Sequence, residues 1–277
     1  MNTPRSVAVI GLGMMGGSVA RALAARGVRV AGYDSNSAHL DAAIAQGVVA
    51  RRLSPNLQDV GDADAIVIAV HGDAAIEILR SVEKYAEHVG LITDVGSVKQ
   101  GIVSVANELD LATRFVGSHP FAGDHRSGFP ASRMGLFENQ IVYLCPTEKT
   151  SAETLDFAQS LWTLLGASPE LIDARAHDEL LAWSSHLPHV VSTALAIAFA
   201  EKGINRDELG RGGQDVTRLA GGSTEMWTAI LIENAEAIDA GLSEMERGFA
   251  EFREAIRKRD RNSLTQLFEK GRDWSST

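Results

Sequence analysis

The chain has 277 residues, 45% of them hydrophobic and 22% charged, which is typical of a folded globular protein. Its 26 basic and 36 acidic residues give a formal net charge of −10, which argues against a general nucleic-acid-binding protein. Cys145 is the only cysteine, so an intrachain disulfide is excluded, and no CxxC or HExxH pattern indicates a metal site. We find no signal-peptide pattern and no apolar run of membrane-spanning length, so we expect a cytoplasmic protein without membrane partners.

Short apolar runs alternate with segments of helical spacing in the first part of the chain. The predicted strands are 6–10, 28–33, 65–70, 91–93 and 115–116, and the predicted helices are 14–26, 39–45, 74–85 and 99–107. This alternation predicts an α/β fold of Rossmann type, with a doubly wound and mostly parallel sheet.

The alternation fades near residue 172, and long helical segments follow. We therefore predict an NAD-binding domain over residues 1–172 and an all-α domain over 173–277. The segment 194–200 is apolar nearly all round, so its helix is expected to be buried on more than one side. A homodimer formed through the helical domain explains that burial best.

A glycine-rich turn follows the first predicted strand and opens a helix. Gly11, Gly13 and Gly16 form a GxGxxG pattern, which allows a tight turn, a close approach of the pyrophosphate and close helix packing. Asp34 ends the second strand, where a carboxylate binds ribose hydroxyls and repels a 2′-phosphate, so NAD is predicted over NADP. The remaining residues predicted to line the cofactor are Met14, Met15, Val70 and Gly96.

Two further motifs follow predicted strands, at the edge of the sheet where ligands bind in this fold. Ser97 lies in the segment 94–99, and His119 lies in Gly117-Ser118-His119-Pro120. An imidazole is largely neutral near pH 7 and can accept a proton, so His119 is the predicted catalytic base.

These motifs and others resemble those of the prephenate and arogenate dehydrogenases of tyrosine biosynthesis, over nearly the whole chain. The matching segments are 11–18, 93–99, 117–123, 185–189, 215–218, 225–227 and 233–234. The resemblance implies that His119 takes the proton of the substrate's ring hydroxyl while hydride leaves the same carbon. Ser97 would orient His119 or that hydroxyl.

The resemblance also implies a set of substrate-binding residues. Arg218 would bind a substrate carboxylate, His189 would line the pocket from the helical domain, and Trp227 would support it. Asp215 matches a residue that reaches the site from a neighbouring subunit. Alternative interpretations are that Asp215 pairs with Arg218 on one helix face and that Trp227 is a core residue.

Other histidines carry less information. His186 is either a site residue or a packed, hydrogen-bonded helix residue. His71, His88 and His177 lie outside any motif and are interpreted as surface or capping groups.

The chain departs from the family pattern at Asp124, where relatives have a small neutral residue, often threonine. Asp124 either pairs with Arg126 or the loop backbone, or faces the substrate's side chain. In the second case its carboxylate repels the pyruvyl carboxylate of prephenate and attracts the ammonium of arogenate. Arg211 is a second departure, in a segment where relatives have an unbroken glycine run.

The predicted function is the NAD-dependent oxidative decarboxylation of prephenate, with arogenate as an alternative or additional substrate. An amino-substituted prephenate dehydrogenase is a close alternative. A β-hydroxyacid dehydrogenase is disfavoured because the segment 177–201 contains histidines but no lysine. A non-catalytic NAD-binding sensor is the alternative from another class.

Overall fold

The computed structural model describes residues 3–123 and 126–276. Contacts divide this chain into two compact units. The first contains the described residues up to Leu180 together with Gly221–Glu233, and the second contains Leu181–Ala220 and the described residues from Asn234 onward.

The first unit is built on one eight-stranded sheet. Its strands are β1 Ser6–Ile10, β2 Arg29–Tyr33, β3 Arg51–Arg52, β4 Ala65–Ile68, β5 Leu91–Asp94, β6 Phe115–Pro120, β7 Ile141–Pro146 and β8 Ser168–Leu171. They lie in the order β3-β2-β1-β4-β5-β6-β7-β8. All neighbouring pairs are parallel except β6 with β7. The predicted α/β fold with a mostly parallel sheet is confirmed.

The central strands β1, β4, β5 and β6 are buried because apolar side chains cover both faces of the sheet. In β1, Val7 and Val9 belong to one hydrophobic cluster, while Ala8 and Ile10 belong to the other. Successive side chains of a strand point to opposite faces, so a continuous apolar run is what a strand covered on both sides requires. The sequence of β1 therefore determines its central place in the sheet.

Eleven α-helices occur in the described residues. Those of the first unit are α1 Met14–Ala24, α2 Ser37–Ala45, α3 Asp73–Val82, α4 Gln100–Glu108, α5 Ala152–Leu164, most of α6 Ala174–Leu181, and α9 Thr224–Glu233. Those of the second unit are α7 Leu187–Glu201, α8 Arg211–Val216, α10 Ala235–Lys258 and α11 Arg261–Trp274.

One sequence prediction needs correction at β6. The motif containing His119 was expected to follow a strand that ended at Val116, but the strand continues to Pro120. The physical reason is β7, which pairs antiparallel with residues 116–120 after β5 has ended. His119 thus lies inside β6. The neighbouring strand β5 ends before it reaches the level of His119.

In the second unit, α7 follows a π-helical turn at Ala182–His186. The apolar segment 194–200 was expected to be buried on more than one side, but in the single chain much of it is exposed, including Ile197 at 54%. Among the described residues, no helix is both long and apolar enough to cross a membrane.

Candidate active site

The turn between β1 and α1 is held in one conformation by its first and third glycines. Gly11 has a φ of +91°, and a Cβ there would lie 2.4 Å from the Ala69 carbonyl oxygen and 2.8 Å from Val70. A Cβ on Gly16 would lie 1.9 Å from the Gly11 carbonyl oxygen. Both positions therefore require glycine for the packing of the protein itself.

Gly13 differs from the other two glycines because a Cβ there would meet no other atom within 4 Å. It stands at the N-terminal end of α1, where backbone N–H groups and the helix dipole favour an anion. The turn thus leaves room at Gly13 for a dinucleotide pyrophosphate, and the residues present fit that group. Met14 and Met15, the first residues of α1, are half-buried.

Asp34 follows β2 and is tied to the glycine turn. The Leu12 backbone N–H donates to one oxygen of its carboxylate at 2.6 Å, and the Asn36 N–H donates to the other at 2.7 Å. His39 lies 3.6 Å from the same carboxylate. The carboxylate is thereby placed beside the turn, where the hydroxyls of an adenosine ribose would be recognised.

A buried polar network joins the ends of β5 and β6. The Asp94 carboxylate accepts hydrogen bonds from the backbone N–H of Gly96 at 2.8 Å and of Ser118 at 3.2 Å, and it pairs with the fully buried Lys99 ammonium. A buried ion pair is tolerated when its oxygens are also hydrogen-bonded, as they are here. The network fixes the strand that carries His119.

Ser118 adds a second set of bonds beneath His119. Its hydroxyl lies 2.7 Å from the Thr93 hydroxyl and accepts a hydrogen bond from the Trp162 indole at 2.9 Å. All three side chains are buried. The backbone before His119 is therefore anchored from β5 and from α5.

His119 itself is buried and contacts a second histidine. Its Nδ1 lies 2.9 Å from Nε2 of His177, a fully buried residue in the middle of α6. Nδ1 of His177 lies 2.8 Å from the Asp178 carboxylate. That carboxylate also accepts the backbone N–H groups of Lys99 and Gln100, both at 2.8 Å, at the N-terminus of α4.

The interpretation of His177 as a surface or capping group is wrong. His177 and Asp178 lie on the buried face of α6, together with Ala174. The signal that identifies them is helical spacing, because residues 174, 177 and 178 share a face three and four residues apart. Without a family motif, only this spacing marks His177 as a buried histidine.

Ser97 and Gly96 lie in the loop after β5 and are half-buried. Within the described residues no hydrogen bond joins Ser97 to His119. The missing Cβ at Gly96 makes room for the Asp94 carboxylate, since a Cβ there would lie 2.9 Å from that carboxylate. The Asp94 carboxylate therefore determines the conformation of the loop at Gly96.

The substrate residues predicted in the second unit lie on three different helical segments. His189 lies on α7, Asp215 on α8, and Arg218 begins a 3₁₀ turn at Arg218–Gly221. Burial is the main cause that lowers the pKa of His189; the charge of Arg218 lowers it further, while a backbone hydrogen bond with Leu219 raises it. His189 is therefore favoured in its neutral form.

The remaining predicted site residues differ in how far they are buried. Asp215 and Arg218 are exposed and form no ion pair with each other in the part of the chain that the structure describes. Trp227 lies half-buried on α9 in the first unit. His186 is buried and its Nδ1 lies 3.1 Å from the Asn234 amide nitrogen. Asp124 lies outside the described residues.

Comparisons with known families cover both parts of the chain. Residues 19–171 match the family described as prephenate dehydrogenase, nucleotide-binding domain, and residues 173–270 match prephenate dehydrogenase, dimerization domain. This chain belongs to the prephenate dehydrogenase family. The glycine turn precedes the first matched residue, so its assignment depends on the geometry described above.

Individual relatives are similar over nearly the whole chain. A prephenate dehydrogenase of Bacillus subtilis is 31% identical over 97% of this chain and 75% of its own length. The crystal structure of Aquifex aeolicus prephenate dehydrogenase, in complex with hydroxyphenyl propionate and NAD+, has a TM-score of 0.89 at 28% identity and covers 99% of both chains. Synechocystis arogenate dehydrogenase has a TM-score of 0.82 at 28% identity, covering 98% of this chain and 99% of its own.

Proposed function

We propose that this chain catalyses the oxidative decarboxylation of prephenate to 4-hydroxyphenylpyruvate, with NAD as hydride acceptor. The observation that carries the proposal is His119, a buried imidazole on β6 at the edge of the sheet where β5 has ended. The nucleotide turn and His119 lie on one sheet, as a dehydrogenase of this fold requires. Membership of the prephenate dehydrogenase family supports the choice of substrate.

His119 acts as the proton acceptor for the ring hydroxyl. When that O–H bond breaks, its electron pair forms the carbonyl, and the hydride on the same carbon departs. The nicotinamide, when bound, supplies the acceptor for that hydride. The dienone then loses the ring carboxylate as carbon dioxide: the C–C bonding pair enters the ring, the carbonyl π pair returns to the oxygen, and that oxygen regains the proton held by His119. Aromatisation drives the step.

The family resemblance supports roles for Ser97 and for several other residues. We assign Ser97 to the substrate hydroxyl, because it makes no bond to His119 in the described chain. Arg218 is assigned to a substrate carboxylate, for which a planar guanidinium is well suited. His189 and Trp227 would line the pocket. Met14, Met15, Val70 and Gly96 would line the cofactor.

NAD is favoured over NADP by the carboxylate beside the glycine turn. Asp34 accepts two backbone hydrogen bonds, so it is held in place as an anion acceptor of ribose hydroxyls. A 2′-phosphate would be repelled there. The A. aeolicus relative crystallised with NAD+ supports the same cofactor.

We place the boundary between the nucleotide-binding half and the helical half after residue 172, with the halves spanning 1–172 and 173–277. The family matches over 19–171 and 173–270 support this boundary. We also propose that two copies pair through the helical half. In the second unit several apolar side chains are exposed, namely Ile197, Phe249, Ile256 and Phe268. Asp215 would then serve the partner's site.

Replacing His119 tests the enzymatic role against that of an NAD-binding sensor. His119→Asn removes the proton acceptor but keeps a polar side chain, so kcat should fall by about 10²- to 10⁴-fold. The dissociation constant for NAD should stay within about twofold, because the glycine turn is untouched. NADH absorbance and NAD titration are the two measurements. Full turnover by the variant would contradict the proposed role.

Arogenate is the second candidate substrate, favoured by the arogenate dehydrogenase of Synechocystis and by Asp124. If Asp124 faces the substrate's side chain, Asp124→Thr should lower kcat/KM for arogenate and raise it for prephenate, each by about tenfold. Arg126→Gln is the control for the alternative, in which Asp124 pairs with Arg126. Unchanged kcat/KM for both substrates in Asp124→Thr would exclude the contact with the side chain.

A further inference from the structure

The base proposed above needs one particular tautomer of His119. A neutral imidazole carries its proton on one ring nitrogen and its accepting lone pair on the other. Nδ1 of His119 lies 2.9 Å from His177, so one of these two nitrogens must donate and the other must accept. Which of them donates decides whether Nε2 of His119 carries a lone pair or a proton.

Asp178 settles the direction of this hydrogen bond. Each of its two carboxylate oxygens accepts a backbone N–H bond at the N-terminus of α4, one from Lys99 and one from Gln100, so both oxygens act as acceptors. An ionised carboxylate can only accept, so Nδ1 of His177, 2.8 Å away, must carry a proton and donate it. A neutral His177 then has its lone pair on Nε2.

The chain of donors therefore runs in one direction, from His119 through His177 to Asp178. Nε2 of His177 accepts, so Nδ1 of His119 is the protonated nitrogen and Nε2 of His119 carries the lone pair. We propose that His177, held by Asp178, is a positioning residue that fixes His119 in the tautomer able to take a proton. This inference rests on the proposed role of His119 and extends it to two residues outside the family motifs quoted above.

Burial keeps the arrangement unique. His177 is fully buried and Asp178 is 3% exposed, so water does not offer the rings alternative partners as it would at a surface. The His119 ring also meets His177 edge-on, at 5.1 Å between centroids, and Tyr143 packs against His177 at 5.5 Å. Other charged groups near Asp178 include Asp94 and Lys99, which pair with each other, and Glu233, whose pKa the charges of Lys99 and Asp178 affect. The two imidazoles are thus restrained in both orientation and proton position.

The tautomer can be measured directly in the wild-type protein, without reference to turnover. Long-range ¹H–¹⁵N correlation spectra of ¹⁵N-histidine-labelled protein near pH 8 distinguish protonated from unprotonated ring nitrogens. His119→Asn assigns the His119 signals by their loss. We expect His119 to be protonated on Nδ1. A His119 protonated on Nε2 would overturn the proposal, whatever the substrate proves to be.

Two amide substitutions of His177 test the consequence for catalysis. Gln extends about as far as Nε2 and offers an oxygen to Nδ1 of His119, whereas Asn reaches only about as far as Nδ1 and leaves His119 without that acceptor. We expect His177→Asn to lower kcat by about 100-fold or more and His177→Gln by less than about tenfold. NAD affinity should stay within about twofold in both.

His88→Asn is the matched control, because it makes the same change at an exposed histidine and should keep wild-type kcat. Equal kcat in wild type, His177→Asn and His177→Gln would contradict the positioning role. If neither His177 variant folds, the wild-type spectrum still decides the tautomer. If wild type oxidises neither prephenate nor arogenate, the proposed function fails, while the spectrum reports separately on His177.

Discussion

At the scale of single residues, the site contains two histidines in different environments. His119 and His177 are both buried histidines in direct contact, and the bond of His177 to the Asp178 carboxylate is what suits it to a positioning role. His88, by contrast, is exposed. The sequence motif identified His119, because Gly117-Ser118-His119-Pro120 is a family pattern. It did not identify His177, which contacts the neighbouring Asp178 and, across 58 residues of sequence, His119.

Cys145 illustrates the same dependence on environment. It lies opposite Gly117 in the register of β6 and β7 and is completely buried. Burial is the main cause that raises the pKa of its thiol to about 12. The apolar run 141–145 around it is typical of a strand that buries a small thiol.

Alkylation of Cys145 by iodoacetamide at pH 8 should consequently be at least about 100-fold slower in the folded protein than in urea, because the thiolate is the reactive form. Mass spectrometry of the alkylated chain over time gives both rates, and the unfolded chain is the control. Equal rates in the two states would show that the thiol is accessible and ionised.

At the scale of elements, the three glycines of the turn between β1 and α1 have different structural roles. Gly11 and Gly16 are required by the packing of the turn against Ala69 and against itself, while the space at Gly13 is open. The GxGxxG pattern predicts the turn but does not distinguish these roles. The positions of the neighbouring atoms distinguish them.

Two matched alanine substitutions separate folding from cofactor binding. Gly16→Ala should lower the free energy of unfolding by about 1–3 kcal/mol, because its Cβ would overlap the Gly11 carbonyl. Gly13→Ala should change that free energy by less than about 1 kcal/mol but weaken NAD binding about tenfold or more. Urea unfolding and NAD titration measure the two effects. Equal loss of stability in both variants would contradict the assignment of Gly16 to packing and of Gly13 to cofactor binding.

The sequence predicted β1, β2, β4 and β5 from short runs rich in apolar residues, and the alternation of these runs with helices predicted the sheet. The length of β6 and its antiparallel pairing with β7 were not predictable in the same way. Residues 117–120 contain glycine, serine, histidine and proline, which are poor strand signals, and they are extended because β7 pairs with them. The pairing with β7 sets the length of β6 and therefore the position of His119. Local sequence does not contain this information.

At the scale of the whole molecule, the helical half carries apolar surface that a single chain leaves uncovered. Ile197 on α7 is 54% exposed and Phe268 on α11 is 69% exposed. The sequence predicted an apolar helix over 194–200 and a dimer to cover it. The match to a dimerization-domain family agrees with that expectation.

Ile197→Asp should convert the dimer to monomers, because a carboxylate would have to be buried without a partner in the interface. Sedimentation velocity at micromolar concentration distinguishes the two states. Ile44→Asp, the same change at an exposed isoleucine of α2 in the first unit, should leave the dimer intact. A wild-type monomer, or a dimeric Ile197→Asp, would contradict pairing through α7.

The central claim is that this chain oxidises and decarboxylates prephenate with NAD, and a direct turnover assay tests it. Purified protein is incubated with NAD and either prephenate or arogenate, while NADH absorbance and the aromatic product are followed together. We predict one NADH per 4-hydroxyphenylpyruvate formed from prephenate, with any arogenate turnover yielding tyrosine. Binding of NAD without NADH formation from either substrate would contradict the account.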